Sequence, residues 1–237
     1  GYFFFDDTAT PEIYTLSLHD ALPFCSYPGT GTTWTDLAGG NNGTLTNGPT
    51  FSSDNGGSLV FDGTNDYILL PDNVSELLGG ASACTFSGWV KRNSTGTRDS
   101  IIDLTISSTA SKLFVDFPAD NTLRAGGRAD SGDSFQSKVT TATFTDTTEF
   151  YYITAILDIE NDDVQLWVNG VEQAETGSPS WSQTSFDADV GTRNTIGIAA
   201  GLLNPIAGQI ASASIYNRTL TAPDVPQNYL PKPEGRR

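Results

Sequence analysis

The chain has 237 residues, 37% of them hydrophobic and 11% aromatic, which is about one domain's length and enough to bury a core without disulfide or metal staples. Its 12 Lys plus Arg against 28 Asp plus Glu give a net charge of -16, too little positive charge to hold a phosphate backbone, so nucleic acid is excluded as an expected partner. The 24 glycines, abundant Ser, Thr and Asn and absent Met favour short strands joined by tight turns and exclude an all-helical fold, and no run reaches the roughly 18 to 20 apolar residues of a membrane span.

Residues 6–24 read DDTATPEIYTLSLHDALPF and resemble the in-frame translation of a sequencing-library adapter, NDTATTEIYTLSLHDALPI, from which only Asp6, Pro11 and Phe24 depart. Residues 1–25 are therefore read as adapter-derived, either disordered or a makeshift edge strand, and are set aside as a tag would be. Setting them aside removes Asp6, Asp7, Glu12 and Asp20 and leaves a net charge of -12. It also removes His19, the only histidine, and with it any Ser-His-Asp, Cys-His or His-ligated zinc chemistry. The chain opens on Gly1 without a Met, so the native start is expected to be missing. Of the two cysteines, Cys25 stands at this junction and Cys84 in the apolar run CTFSGWVK; a pairing of the two is one reading, a buried small hydrophobe at Cys84 the favoured one.

From Gly57 onward, short apolar or alternating runs are separated by Gly, Asn, Asp and Ser clusters. In order the runs are SLVF, DYILLP, CTFSGWVKR, SIIDLTI, KLFVDFP, TLRAGG, SFQSKVTTATFT, EFYYITAILDI, DVQLWVNG, NTIGIAA and GQIASASIYN. About a dozen short strands at this spacing predict a two-sheet β-sandwich. Leu113, Val115 and Phe117 alternate, as do Val164, Leu166 and Val168, and each set presents one face inward. IENDD joins two strands between residues 149 and 170 as a hairpin, with Asn161 and Asp162 tolerating positive φ. Helix is confined to TAPDVPQNYL, where Thr221 caps a single turn and Pro226 stops it; residues 231–237 form a polar tail.

With these strands placed, YPGTGTTWTDLAGGNNGTLTNGPTF (27–51), SLVFDGTNDYILLP (58–71), CTFSGWVKR (84–92), ITAILDIENDDVQLWVNGVE (153–172) and GQIASASIYNRTLTAPDVPQNY (208–229) resemble the laminin G-like jelly rolls of the concanavalin A-like lectin/glucanase superfamily. FDGTNDY, WVNG and IYNRTL are the specific pieces, and the likeness runs in family order over residues 26–230. The resemblance implies an all-β fold, a two-sheet antiparallel jelly-roll β-sandwich. It also implies a strand ahead of residue 27, where the adapter-like residues now stand, so the native first strand is expected to be truncated. Two departures stand out: the family's closing G-x-I-D, whose Asp lies near a structural calcium, is here GQIA with Ala211, and its W-H-H is Phe150, Tyr151 and Tyr152.

What the resemblance implies of function is a non-enzymatic recognition module that binds carbohydrate or a surface partner through rim loops, within a larger extracellular, cell-surface or virion protein. A structural spacer domain and a glycoside hydrolase are the alternatives. For hydrolysis the nearest run with carboxylate period two is Asp158, Glu160 and Asp162, which sits at a hairpin tip and reads as a solvated turn. Asp99 and Asp103 flank an SII run and read as edge-strand charges. For calcium, Asp62, Asn65 and Asp66 supply oxygens at short spacing; the competing reading is turn bonding by Asp62 and Asn65. Trp34, Trp89 and Trp167 lie in family motifs and are expected to pack in the core or under a loop, whereas Trp181 stands in the polar stretch TGSPSWSQTSF. Trp181 is thus a candidate platform for the apolar face of a pyranose, with Arg98 and Asp99 as directional partners; the competing reading folds it back onto the sandwich.

Overall fold

The computed structural model describes residues 13–17, 27–37, 40–107, 110–188, 191–221 and 225. In chain order the strands are β1 (Ile13–Ser17), β2 (Thr33–Trp34), β3 (Gly43–Thr46), β4 (Thr50–Ser52), β5 (Ser58–Asp62), β6 (Tyr67–Leu70), β7 (Ala83–Arg92), β8 (Asp99–Thr105), β9 (Ser111–Phe117), β10 (Arg124–Gly127), β11 (Gln136–Thr140), β12 (Tyr151–Asp158), β13 (Asp163–Val168), β14 (Val171–Glu172), β15 (Glu175–Thr176), β16 (Asn194–Ile196) and β17 (Ala207–Tyr216). They form two antiparallel sheets. The first runs β14-β13-β12-β7-β17-β5-β4, with β1 also paired to β17; the second runs β15-β11-β10-β9-β8-β16-β6-β3-β2. No helix among the described residues is long and apolar enough to cross a membrane.

Period two decides which side chains enter the interior. Leu113, Val115 and Phe117 of β9 meet Val164, Leu166 and Val168 of β13 in one buried cluster with Trp34, Phe61 and Phe86. Every run named from the sequence after Gly57 carries a strand. Two are shorter than their patterning suggests. SFQSKVTTATFT pairs only to Thr140, where the Thr140 hydroxyl turns back onto the Ala142 carbonyl at 2.8 Å. NTIGIAA stops at Ile196 because Gly197 takes φ +91°, and a Cβ there would lie 2.6 Å from the Phe61 ring. In the IENDD hairpin it is Asp162, at φ +54°, and not Asn161 that takes the left-handed turn. The strands β2, β14 and β15 are two residues long and carry no periodic signal.

The outer edge of β17 is shared. β5 covers Ala207 to Ile210, and β1 covers Ser212 to Tyr216, its register running Ser17↔Ser212 to Ile13↔Tyr216. Adapter-like backbone thus lies on the closing strand. Residues 1–12, 18–26 (with His19 and Cys25) and 231–237 are outside the described residues, as is all of the expected C-terminal turn except Thr221 and Val225, between which one N–H···O bond of 3.2 Å is formed. Cys84 is a free thiol with no exposure, and burial pushes its ionisation well above the ordinary thiol range.

Candidate ligand-binding face

The outer face of the second sheet is built by the side chains that alternate with the core. On β9, Phe114 and Asp116 point away from Leu113, Val115 and Phe117; Asp103 of β8 lies opposite Phe114, and Arg124 of β10 lies opposite Asp116. Asp116 is wholly buried between two guanidiniums. Arg124 donates to it from Nε (3.0 Å) and Nη2 (2.7 Å), and Arg98, from the loop before β8, donates from Nε at 2.5 Å. Arg124 also lies 5.3 Å from the centroid of Phe114, Phe114 stacks on Phe135 at 4.8 Å, and Arg128 lies 5.8 Å from the Phe135 centroid. A Cβ on Gly126, next to Phe114 in this row, would lie 2.0 Å from the Gln136 carbonyl, so only glycine lets β10 and β11 approach there.

A loop, residues 197–206, arches over this face. Its Ala200 peptide is held from both sides: the N–H donates to Asp103 Oδ2 at 2.9 Å, and the carbonyl accepts from Arg193 Nη1 at 2.9 Å. Leu202 and Asn204 take φ +57° and +55°, a backbone conformation that costs a branched side chain energy and persists where the surroundings impose it. The loop leaves Leu202 and Leu203 in solvent. Leu69 of β6, in the same cross-strand row as Thr195, Asp103 and Phe114, and Phe135 are also exposed on this side.

Burial beneath the loop pushes the Asp103 carboxyl up to about 6, against the opposing pull of the Ala200 N–H, the Ser111 hydroxyl and the Arg98 charge; its Oδ1 has no hydrogen-bond partner. Because the folded protein binds this proton more tightly than the unfolded chain, Asp103 weakens the fold as pH rises from about 4 to about 7. The stability of Asp103→Asn relative to the unsubstituted protein is therefore expected to improve by about 2 kcal/mol over that interval, as read from urea unfolding at both ends. A pH-independent difference would show that the carboxyl titrates normally.

The sequence candidates fall in different places. Arg98 lies on the outer face, but Asp99 points inward, where Arg92 Nε donates to its Oδ2 at 2.7 Å with both side chains buried. Arg92 also reaches Asn121 Oδ1 and the carbonyls of Phe144 and Thr97. Burial raises the Asp99 carboxyl above its ordinary range, with the Arg92 charge opposing. The edge-strand reading of Asp99 and Asp103 is corrected: β8 is paired on both sides, by β9 and β16, and both carboxylates are buried.

Trp181 is corrected as a platform. Its ring belongs to the core, with 7% exposure; its indole N–H donates to the Gly127 carbonyl at 3.2 Å and its main-chain N–H to Asp162 Oδ1 at 2.7 Å. No apolar ring face is left for a sugar. Trp34 is fully buried, whereas Trp89 and Trp167 are half-buried on the outer side of the first sheet, Trp89 lying 5.2 Å from Tyr152. At the hairpin tip, Asp158 accepts from the Asn161 main chain and side chain, which is turn bonding.

Asp62, Asn65 and Asp66 do come together, in the turn between β5 and β6. Asp62 Oδ1 accepts from the N–H groups of Thr64 (2.7 Å) and Asn65 (3.4 Å), Asp66 Oδ2 accepts from the Asp62 N–H (3.1 Å), and the Asn65 carbonyl accepts from Asn47 Nδ2 (2.9 Å). Ala211 falls in the bulge of β17 between Ile210 and Ser212 and offers no side-chain oxygen. These are bonds within the turn and to Asn47, and no group of three His, Cys, Asp or Glu gathers among the described residues. Asp116, Arg124, Phe135 and Leu202–Leu203 were not singled out from sequence; the alternation of Phe114 and Asp116 with the core residues of β9 was the available signal.

Residues 62–226 match the Laminin_G_3 family model, described as concanavalin A-like lectin/glucanases superfamily. A comparison with curated proteins returns no match. Among solved structures, domain 4 of AbnA, an extracellular arabinanase from Geobacillus stearothermophilus solved in complex with arabinotriose, is similar at TM-score 0.63 and 18% identity, covering 83% of this chain and 92% of that domain. Trypanosoma rangeli sialidase is similar at TM-score 0.64 and 13% identity over 92% of this chain, which spans 32% of the sialidase.

Proposed function

Since the chain belongs to the concanavalin A-like lectin/glucanase superfamily, we propose that it is a non-catalytic recognition module that binds a saccharide on the outer face of its second sheet. The observation that carries this reading is the grouping on one face of guanidinium donors (Arg98, Arg124, Arg128) with the stacked rings of Phe114 and exposed Phe135. Directional donors beside apolar surface are what a pyranose or furanose ring needs, its hydroxyls taking the first and its C–H face the second. Arabinotriose in the complex of the arabinanase domain accords with a saccharide ligand. Hydrolysis is disfavoured because the two carboxylates carried by β8 and β9 on this face are buried, Asp116 with each oxygen held by arginine and Asp103 bonded to the Ala200 peptide. The module belongs to a larger extracellular, cell-surface or virion protein, with neither nucleic acid nor membrane insertion in its role.

A glycan array with the whole chain tests this. Saccharide binding is expected, weakened about tenfold or more by Phe135→Ala, as loss of an exposed ring contact worth about 1.4 kcal/mol would do. A silent array would overturn it in favour of a spacer domain, and release of reducing ends from bound glycans in favour of a hydrolase.

A further inference from the structure

Charge on this face runs against the charge of the chain. Lys and Arg number 12 against 28 Asp and Glu, yet Arg98, Arg124, Arg128 and Arg193 converge on the outer face of the second sheet and its loop. The carboxylates there do not cancel them evenly. Asp116 is a single carboxylate shared by two guanidiniums, and its two oxygens are both saturated by Arg98 and Arg124. Asp103, whose charge reaches Arg98, is buried and bonded to the Ala200 N–H, and Asp120, whose charge reaches Arg124, is engaged by the Thr122 N–H and hydroxyl, so four guanidiniums face three carboxylates.

The donors that remain are specific. Arg98 is fastened to Asp116 through Nε alone, which leaves both of its terminal nitrogens without an acceptor among the described residues while its side chain is 40% exposed. Arg128 lies against the Phe135 ring with its Nε buried and lacking a partner among the described residues, so it is the terminal nitrogens that can meet a ligand. Arg124 and Arg128 are four residues apart near one strand, roughly 13 Å along it at the usual rise, with Phe114 and Phe135 between them. A guanidinium already oriented by a buried carboxylate loses little freedom on meeting a second oxyanion, and its planar pair of N–H groups matches a planar carboxylate.

We infer that the ligand of this face is an acidic oligosaccharide, whose sugar carboxylates meet Arg98 at one end of the stripe and Arg128 at the other while ring faces lie on Phe135. The inference rests on the saccharide reading above and narrows it to uronic-acid-type or sialic-acid-type sugars.

The test is binding of the whole chain, by calorimetry, to oligogalacturonate, alginate and hyaluronan oligomers and sialyllactose. Each is compared with its carboxyl-reduced form, and a sulfated galactan serves as a separate arm. At least one acidic saccharide is expected to bind ten times or more tightly than its reduced counterpart, with affinity falling as salt rises. Arg98→Gln is expected to abolish that preference by lowering the affinity for the acidic form more than that for its reduced counterpart, while Asp116 keeps Arg124 in place. If Arg98→Gln does not fold, Arg128→Gln carries the same expectation. Equal binding of acidic and reduced forms would overturn the inference and leave the saccharide reading standing. Binding of the sulfated galactan alone would overturn the carboxylate, and silence in every arm would overturn the saccharide reading and this inference together.

Discussion

Arg92→Met is expected to destabilise the protein by about 3–5 kcal/mol, the usual cost of removing one partner from a buried ion pair. Arg92 is fully buried at the end of β7, 2.7 Å from Asp99, with its remaining donors on Asn121 and on the Phe144 and Thr97 carbonyls and its guanidinium 4.8 Å from the Phe117 centroid. Met fills much of the volume but leaves the Asp99 carboxylate in the interior without a counter-charge. Burial already raises the Asp99 carboxyl, and losing Arg92 removes the opposing charge, so its protonation is favoured further in the variant. A carboxyl with a raised folded-state pKa weakens the fold above that value and ceases to do so as pH falls below it, so the loss is expected to be larger at pH 8 than at pH 5. Urea unfolding at the two pH values reads this directly. Adding Asp99→Asn to Arg92→Met is expected to recover part of the loss at pH 8. If the single variant is as stable as the parent at pH 8, the buried Arg92–Asp99 pair does not contribute to the fold's stability.

Trp181→Ala is expected to cost a similar amount, about 3–5 kcal/mol, by emptying a large core site. The residue also links the two sheets at one border. Its indole N–H is bonded to Gly127 at the end of β10 in the second sheet, and its main-chain N–H to Asp162 in the β12–β13 hairpin of the first. Trp181→Phe keeps much of the packing and loses the indole bond, so a loss of about 1–2 kcal/mol is expected. Thermal unfolding orders the three proteins as parent, Phe, Ala. Saccharide binding measured well below the melting temperature is expected to be unchanged in Trp181→Phe. Loss of binding in that variant without loss of stability would return Trp181 to the ligand site.

How far the sequence could be read is shown by individual residues. Leu113, Val115 and Phe117 declared their direction through period two alone, since alternation is a local property of an extended backbone. The same alternation placed Phe114 and Asp116 on the opposite face, but it could not name their neighbours: Arg124 is the cross-strand partner of Asp116 only because β10 pairs with β9 in that register. Asp99 and Asp103 looked like edge charges because a strand's flanks are invisible in one dimension; β16, arriving from residues 194–196, makes β8 an interior strand. Trp181 stood in a polar stretch, and its polar neighbours suggested exposure. Its burial depends on Gly127 and Asp162, which lie 54 and 19 residues away in sequence.

Short apolar runs, alternation and Gly, Asn and Asp turns were sufficient for the all-β, two-sheet class, because these follow from local backbone preference. The joining of Arg98 to Arg124 through Asp116, the seating of Asp103 beneath the 197–206 loop, the separation of Arg98 from Asp99 and the withdrawal of Trp181 into the core came only with assembly of the sheets. Each depends on a contact between residues far apart in the chain, and strand order and register, not composition, determine which of those residues meet.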